Sequence, residues 1–341
     1  MIEVPSSYIA ARTTAVVAAT PAHDNLHLSG RDRIPFLQNL ITNDLGLLTP
    51  RQGVYSLLLT AKGKIVADFF VYPLPADLWP DSLLIEVAWA SAATIQSHLL
   101  GYRFRSQVKI ERATTGKILV AGPCAASLLA RFFDAPLPEL PEYGCVHMGK
   151  IFCIRRSVTG ERDYLLYLPT ERMAEVETAL LALGEKDGVM SIGPEALETL
   201  RIEAGRPRFG VDIDDRTFPA EAGLQDAIST TKGCYPGQEV VARIDTYGHV
   251  NRHLRGLVFM SPSDPLPQKS DRVFHDGQEV GRITSATRSP HLERGIALAY
   301  LRTTAASPET LVEVDVGGTR CPARVILPPF YRRGFPLPCE K

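Results

Sequence analysis

A chain of 341 residues is too long for one ordinary domain, and two or three compact units are expected. With 45% hydrophobic and 22% charged residues, it has the make-up of a globular protein that builds a core without staples. Its 37 basic and 38 acidic residues leave a net charge of −1, which excludes broad electrostatic binding to nucleic acid or to an anionic membrane.

The opening stretch, MIEVPSSYIAARTTAVVAATP, has an apolar patch at 15–19 that is too short for a secretory signal and lacks its charged start. No run approaches the roughly 20 apolar residues of a membrane helix, so a cytoplasmic protein is expected. After NLHLSG (25–30), RDRIPFLQNLITNDLG spaces Ile34, Leu37, Leu40 and Ile41 as on a helix, with Asp32 as N-cap and Gly46 past its end. VYSLLLTAKGKIVADFFVYPL reads as two strands around an AKGK hairpin turn. SLLIEVAWA is a strand, SAATIQSHLLGY a helix and QVKIERA a strand.

From 117 the order becomes KILVAG (strand), CAASLLARFF (helix), CVHMGKIFCIRRS and DYLLYLP (strands), TERMAEVETALLALG (helix) and GVMSIG (strand). That β-α-β-β-α-β order is ferredoxin-like. The TERMAEVETALLALG helix places Met173, Val176, Leu180 and Leu183 on one face. In GPEALETLRIEAG, Pro194 sits in the first turn and Gly205 beyond the end. SPSDPLPQKSD (261–271) is a connection. Beyond it short strands with DGQ and VGGT turns point to a small β-barrel. The expected division is 1–250, with units of about 1–115, 116–200 and a return segment at 201–250, followed by a barrel at 251–341. The fold class is α+β.

Several residues could carry chemistry. Cys234, in KGCYPGQE, precedes a Pro236-Gly237 pair suited to a type II turn, and Lys232 is a nearby cation that would favour a thiolate. A buried, inert thiol is the other reading. The remaining cysteines, Cys124, Cys145, Cys153, Cys321 and Cys339, have no such surroundings and form no C-x-x-C pair or zinc spacing. Strand alternation puts Lys64, Val66, Asp68, Phe70 and Tyr72 on one face. Buried there, Asp68 would have a raised pKa suited to proton transfer; on an exposed face it would be inert. Glu161, beside a Gly turn, and Glu203, near Arg201 and Arg206, read as surface ion-pair residues, as do Glu239 and Arg243. His249 and His253 lack metal spacing. No dinucleotide fingerprint, P-loop, G-x-S-x-G or H-E-x-x-H occurs in its required context.

These residues together resemble a known family. KGCYPGQEVVAR is similar to the K-G-C-Y-x-G-Q-E-x-x-x-R signature of the YgfZ family, folate-binding proteins that support iron–sulfur cluster assembly and repair and are related to the glycine cleavage T-protein, an aminomethyltransferase. LSGRDRIPFLQNLITNDLGLL, LLTAKGKIVADFFVY and RIEAGRPRFGVDI resemble further family segments, so matches run from about 26 to 255. The resemblance implies a cloverleaf of three units around a central folate pocket. It places Asp68 at the position of the T-protein's catalytic Asp. It makes Cys234 an available thiol, and it makes Asp68, Glu161, Glu203, Gln238 and Arg243 folate-site residues within or beside the motif Lys232, Gly233, Cys234, Tyr235, Gly237, Gln238, Glu239.

Two departures from the T-protein pattern stand out: Ala67 where an Asp precedes the catalytic one, and the Cys234 segment where K-x-D-F-x-G-R-E is expected. In the T-G-E-x-G turn, Asp163 replaces the second Gly. The resemblance implies a tetrahydrofolate-binding accessory protein serving iron–sulfur client or assembly proteins, with no tightly bound metal, no direct nucleic-acid contact and no membrane. A folate-dependent aminomethyltransferase is the alternative, and an interaction module without folate is the third reading.

Overall fold

The computed structural model of the chain describes residues 4–74, 81–87, 92–248 and 250–333. Trp79, Trp89, His249 and Cys339 lie outside the described residues. Helix α1 (Ser6–Thr13) feeds β1 (Val16–Ser29), a strand long enough to run through both halves of the molecule. Helix α2 (Arg33–Gln38) and the hairpin β2 (Val54–Leu59) and β3 (Ile65–Pro73) follow, then β4 (Ser82–Glu86), α3 (Ala92–Gly101) and the equally long β5 (Lys109–Ala121). Helix α4 (Ala125–Phe132) leads to β6 (Cys145–Met148), β7 (Ile151–Arg155), β8 (Tyr164–Leu168), α5 (Met173–Gly184) and β9 (Met190–Ser191). Helices α6 (Pro194–Glu203) and α7 (Gln238–Tyr247) complete this part.

One nine-stranded sheet carries all of it, in the order β2-β3-β4-β1-β5-β8-β7-β6, with β9 beside β1. The stretch expected to form a ferredoxin-like unit is therefore joined to the preceding strands. In that arrangement the last strand would lie beside KILVAG; instead β9 pairs in parallel with Val16 and Val17 of β1, which separates it from β5. CVHMGKIFCIRRS is itself a hairpin, β6 and β7, turned at Gly149 with φ +62°.

Apolar clusters fill both faces. Leu26, Leu28, Phe69, Val71 and Ile85 pack with Leu37 of α2 and Ile95 and Leu99 of α3. Val176 and Leu180 of α5 and Leu128 and Leu129 of α4 cover Ile118, Val120 and Leu166, as the helical spacing predicts. The α2 helix is shorter than its periodicity suggests. Asp32 stands at its N-cap position, but its side chain makes no capping bond and instead accepts the Gln107 N–H at 2.7 Å, and Gly46 falls inside a separate short turn, Leu45–Leu47. Pro194 and Gly205 (φ +64°) bracket α6 as expected.

The chain closes with β10 (Arg252–Phe259), β11 (Arg272–His275), β12 (Gln278–Ser289), β13 (Arg294–Arg302), β14 (Leu311–Val316) and β15 (Thr319–Ile326). They form a closed barrel in the order β10-β13-β12-β11-β14-β15. Asp276-Gly277 and Gly317-Gly318 take the paired positive φ values of tight hairpin turns, at the two places where the sequence signals them. Among the described residues no helix is long and apolar enough to cross a membrane.

Candidate functional site

Asp68 sits mid-strand on β3, opposite Leu57 of β2. A bulge opposite Leu58 and Leu59 inserts one residue, so the alternation breaks at Val66. Val66 packs with Ala67, Phe69 and Val71 on the other face, and Ile65 joins Leu57 and Leu59. From Asp68 onward the alternation holds, and Phe70 and Tyr72 share its face. Asp68 is buried, which settles the choice left open by the sequence. Its Oδ2 accepts the Tyr55 hydroxyl at 3.1 Å, while its Oδ1 has no hydrogen-bond partner among the described residues. Burial pushes its carboxyl up to about 6, against a smaller opposing effect of the Tyr55 hydroxyl.

Aromatic rings wall this face. Tyr55 stacks on Phe70 at 4.6 Å, and Tyr143 leans on Phe70 at 5.4 Å. The Arg156 guanidinium lies 4.1 Å from the Phe70 ring centre. It is paired with buried Glu86, which also accepts the Tyr167 hydroxyl at 2.5 Å and lies 3.9 Å from Lys117 Nζ. Burial alone would raise Glu86, but Arg156 and Lys117 outweigh it and hold the carboxyl at about 2. The two neighbouring carboxylates are thus pushed in opposite directions: Glu86 stays charged and Asp68 titrates near neutrality. Sequence reading misses Tyr55, Glu86, Tyr143 and Arg156. Glu86 carried the same signal as Asp68, a carboxylate inside an apolar strand; Arg156 and Tyr143 carried none.

The KGCYPGQE stretch forms the predicted type II turn. Gly237 has φ +83° and ψ 0°, and the Gln238 N–H donates to the Tyr235 carbonyl at 3.2 Å. Gly237 is forced, since a Cβ there would come within 2.5 Å of the Thr60 carbonyl oxygen. A Cβ at Gly63 would in turn meet Val240 at 3.1 Å. The AKGK hairpin and the cysteine turn are therefore packed glycine against glycine. Cys234 is exposed, so the buried-thiol reading fails. Lys232 does not serve it. Its ammonium turns inward and donates to the carbonyls of Gln38, Ile41 and Asn43 at 2.5, 2.5 and 3.1 Å. Burial draws it down to about 8. Those bonds take the last carbonyl of α2, at Gln38, and two from the segment that follows it. Asn43 Nδ2 donates to the Tyr55 carbonyl at 2.8 Å and to the Asp226 carbonyl at 3.1 Å, tying β2 to the return segment. Gln238 starts α7 and with Tyr235 lines a groove of about 690 Å³; Glu239 and Arg243 are exposed on α7, and Gly233 faces open space.

Glu161 and Glu203 are not surface residues. Both side chains are fully buried around Arg12 of α1, whose guanidinium lies 3.4 Å from Glu161 and 2.7 Å from Glu203. Tyr8 donates to both Glu203 oxygens at 2.9 and 2.8 Å, and Ser289 donates to one of them. Tyr331 donates to Glu161 and lies under Arg12, 3.5 Å from its guanidinium carbon. Among the described residues Glu161 Oε2 has no hydrogen-bond donor, and Arg333 Nε lies 3.8 Å from it. Arg201, expected near Glu203, instead serves Glu198 and Asp212. Asp163 explains the missing glycine. Buried, it accepts the Val158 and Thr159 N–H groups, both at 2.7 Å, and so holds the turn that presents Glu161. Among the described residues no hydrogen bond or ion pair links Asp68, Cys234 and the Glu161–Glu203 cluster to one another. Nor does any group of three or more His, Cys, Asp or Glu there form a metal cage.

A curled α+β sheet followed by a closed six-stranded barrel is the fold of the glycine cleavage T-protein class. Residues 4–232 match the GCVT N-terminal domain, and residues 252–332 match the glycine cleavage T-protein C-terminal barrel domain. The chain belongs to this glycine cleavage T-protein family. It is 33% identical over 338 residues to an aminomethyltransferase of Geobacillus kaustophilus, covering 95% of this chain and 89% of the relative. It is 33% identical over 313 residues to an aminomethyltransferase of Nostoc sp., covering 89% and 81%. The crystal structure of the glycine cleavage system aminomethyltransferase T from Bartonella henselae has the same fold, with a TM-score of 0.84 at 22% identity over 96% of this chain and 89% of that one.

Proposed function

We propose that the protein binds a reduced folate against the Asp68 face and acts as a folate-dependent aminomethyltransferase. The observation that carries this reading is Asp68 itself: a buried carboxyl near neutrality, with one oxygen bonded to Tyr55 and the other free to meet a donor. The residues suit a pterin. Stacked Tyr55 and Phe70 with Tyr143 offer ring faces, and Glu161 Oε2 is a second buried acceptor with no hydrogen-bond donor among the described residues, only Arg333 at 3.8 Å. Tetrahydrofolate, when bound, supplies the nitrogen that takes up the one-carbon unit. Asp68 then holds or moves the proton at that nitrogen, since its pKa lies near working pH. Tyr55 orients the carboxyl, and the Glu86–Arg156 pair fixes the aromatic wall beside it.

Of the two departures from the T-protein pattern, Ala67 does not weaken this reading. It points into the opposite core, so a carboxylate there would not share the face of Asp68. Cys234 supports a second reading, the tetrahydrofolate-binding accessory to iron–sulfur proteins. An exposed thiol stands on a turn locked by Gly237 and Gly63, open to a partner.

One set of assays separates them. Purified protein given tetrahydrofolate and an aminomethyl donor is expected to form methylenetetrahydrofolate, releasing ammonia and the free donor. Asp68→Asn is expected to lose at least a hundredfold in rate, and Cys234→Ala to keep activity. Saturable folate binding without product, together with a [4Fe–4S] enzyme defect in cells carrying Cys234→Ala, would replace the first reading by the second. No saturable folate binding at all would sink both.

A further inference from the structure

A cavity of about 350 Å³ lies where the 210–217 loop meets β12 and β13 of the barrel. Its walls carry Arg216, Arg252, Lys269, Arg282 and Arg302, together with Tyr300. Three carboxylates also line it, and they do not cancel these charges. Asp212 turns inward, where Arg201, the Arg208 N–H, Thr284 and Ser285 use both its oxygens. Asp214 pairs with Arg216 at 3.0 Å and Glu279 with Arg282 at 2.9 Å. Arg252 is held from behind by Glu221, at 3.2 Å to each oxygen, and lies 4.4 Å from the Tyr300 ring centre. Lys269 and Arg302 meet no carboxylate among the described residues; the Lys269 ammonium reaches only the Gly210 carbonyl, at 3.2 Å.

Tyr300 points to what the cavity lacks. The residue is 8% exposed, and among the described residues its hydroxyl makes no hydrogen bond of normal geometry. The Thr217 hydroxyl on the same wall, its polar neighbour, donates its proton to Asp214 at 2.9 Å and accepts the Asp214 N–H at 3.2 Å. A buried O–H without a well-placed acceptor is costly, and the Tyr300 side chain stands on the wall of a space ringed by surplus cations. A ligand oxygen bearing negative charge would satisfy both the hydroxyl and the two free cations.

We propose that this cavity is a binding site for a small anion bearing carboxylate or phosphate groups. Arg302 and Lys269 neutralise it, and Tyr300 donates to one of its oxygens. The site is separate from Asp68 and does not depend on the folate reading.

Calorimetric titration of the full chain, with inorganic phosphate in one arm and the dipeptide γ-glutamyl-glutamate in the other, tests this and tells the two chemistries apart. Saturable binding is expected in at least one arm, weakening as salt is raised. Tyr300→Phe is expected to weaken it about tenfold, the value of one hydrogen bond to a charged group. The double variant Lys269→Ala, Arg302→Ala should weaken it by more than tenfold with an unchanged melting temperature, because both side chains are exposed. Asp68→Asn should leave it unaltered. No saturation in either arm, or equal affinity in the wild type and in both variants, overturns the proposal.

Discussion

Asp68 places a stability cost where the chemistry is proposed. Its folded pKa, about 6, lies above the ordinary value of 3.8 because burial penalises the charged form. The sign follows directly. The folded state holds the proton more tightly than the unfolded chain, so Asp68 favours folding fully below about pH 3.8 and loses that contribution as pH rises through 6. Two pKa units correspond to about 3 kcal/mol. Asp68→Asn removes the ionisation and keeps the shape. Its melting temperature is expected to exceed that of the wild type by several degrees at pH 7.5, and the gain should fall to a small fraction of that at pH 4. A variant that melts below the wild type at pH 7.5, or shows the same difference at both pH values, contradicts this account of the carboxyl. Asp163 is buried and raised to about 6 as well, but its oxygens are taken by Val158 and Thr159, so it holds a turn rather than meeting a ligand.

Between elements, the packing of the two glycine turns is the joint that sets where Cys234 stands. Gly237→Ala would force a side chain into the left-handed region and against the Thr60 carbonyl. It is expected to cost about 2 kcal/mol or more in denaturant unfolding and to speed amide exchange in the 60–64 hairpin. Gly233→Ala, four positions earlier, meets nothing within 4 Å and should change stability by less than about 0.5 kcal/mol. Equal effects at the two glycines would show that the turn is not held by this contact. Much at this scale was legible in the chain: the AKGK, DGQ and VGGT turns, the Pro236-Gly237 turn, the buried stripe of α5 and the bracketing of α6. Local patterns announce themselves because turn chemistry and periodicity act over a few residues. The inward turn of Lys232 was not legible, because its acceptors are the carbonyls of Gln38, Ile41 and Asn43, nearly two hundred residues earlier. The same holds for Arg12, whose partners Glu161 and Glu203 lie far along the chain, and for Val66, displaced by a bulge that no residue type signals.

Across the whole molecule, the two long strands decide what can fold alone. β1 pairs with β5 along nearly its whole length: Val16–Thr20 opposite Lys117–Ala121, and His23–Ser29 opposite Lys109–Thr115. The first part of β1 also carries β9, and the second part carries β4. Cutting the chain near residue 115 therefore splits β5 and strips Val16 and Val17 of partners on both sides. The cut also divides two apolar clusters: one joins Tyr8, Phe70 and Tyr72 to Phe152, Leu165 and Leu200, and the other joins Val17 to Ile118, Leu128 and Leu180. A fragment of residues 1–115 would expose that strand edge and about half of the first cluster, and would keep only Ala15 and Val17 of the second cluster's buried residues, a condition that favours aggregation over folding. We expect this fragment to show no cooperative thermal transition by circular dichroism, whereas residues 1–250, which keep every strand of the sheet, should melt in one step. A cooperative melt of the 1–115 fragment would mean that the two halves of the sheet are stable separately. In that case the ladder between β1 and β5 would be a contact between folded units and not the spine of one.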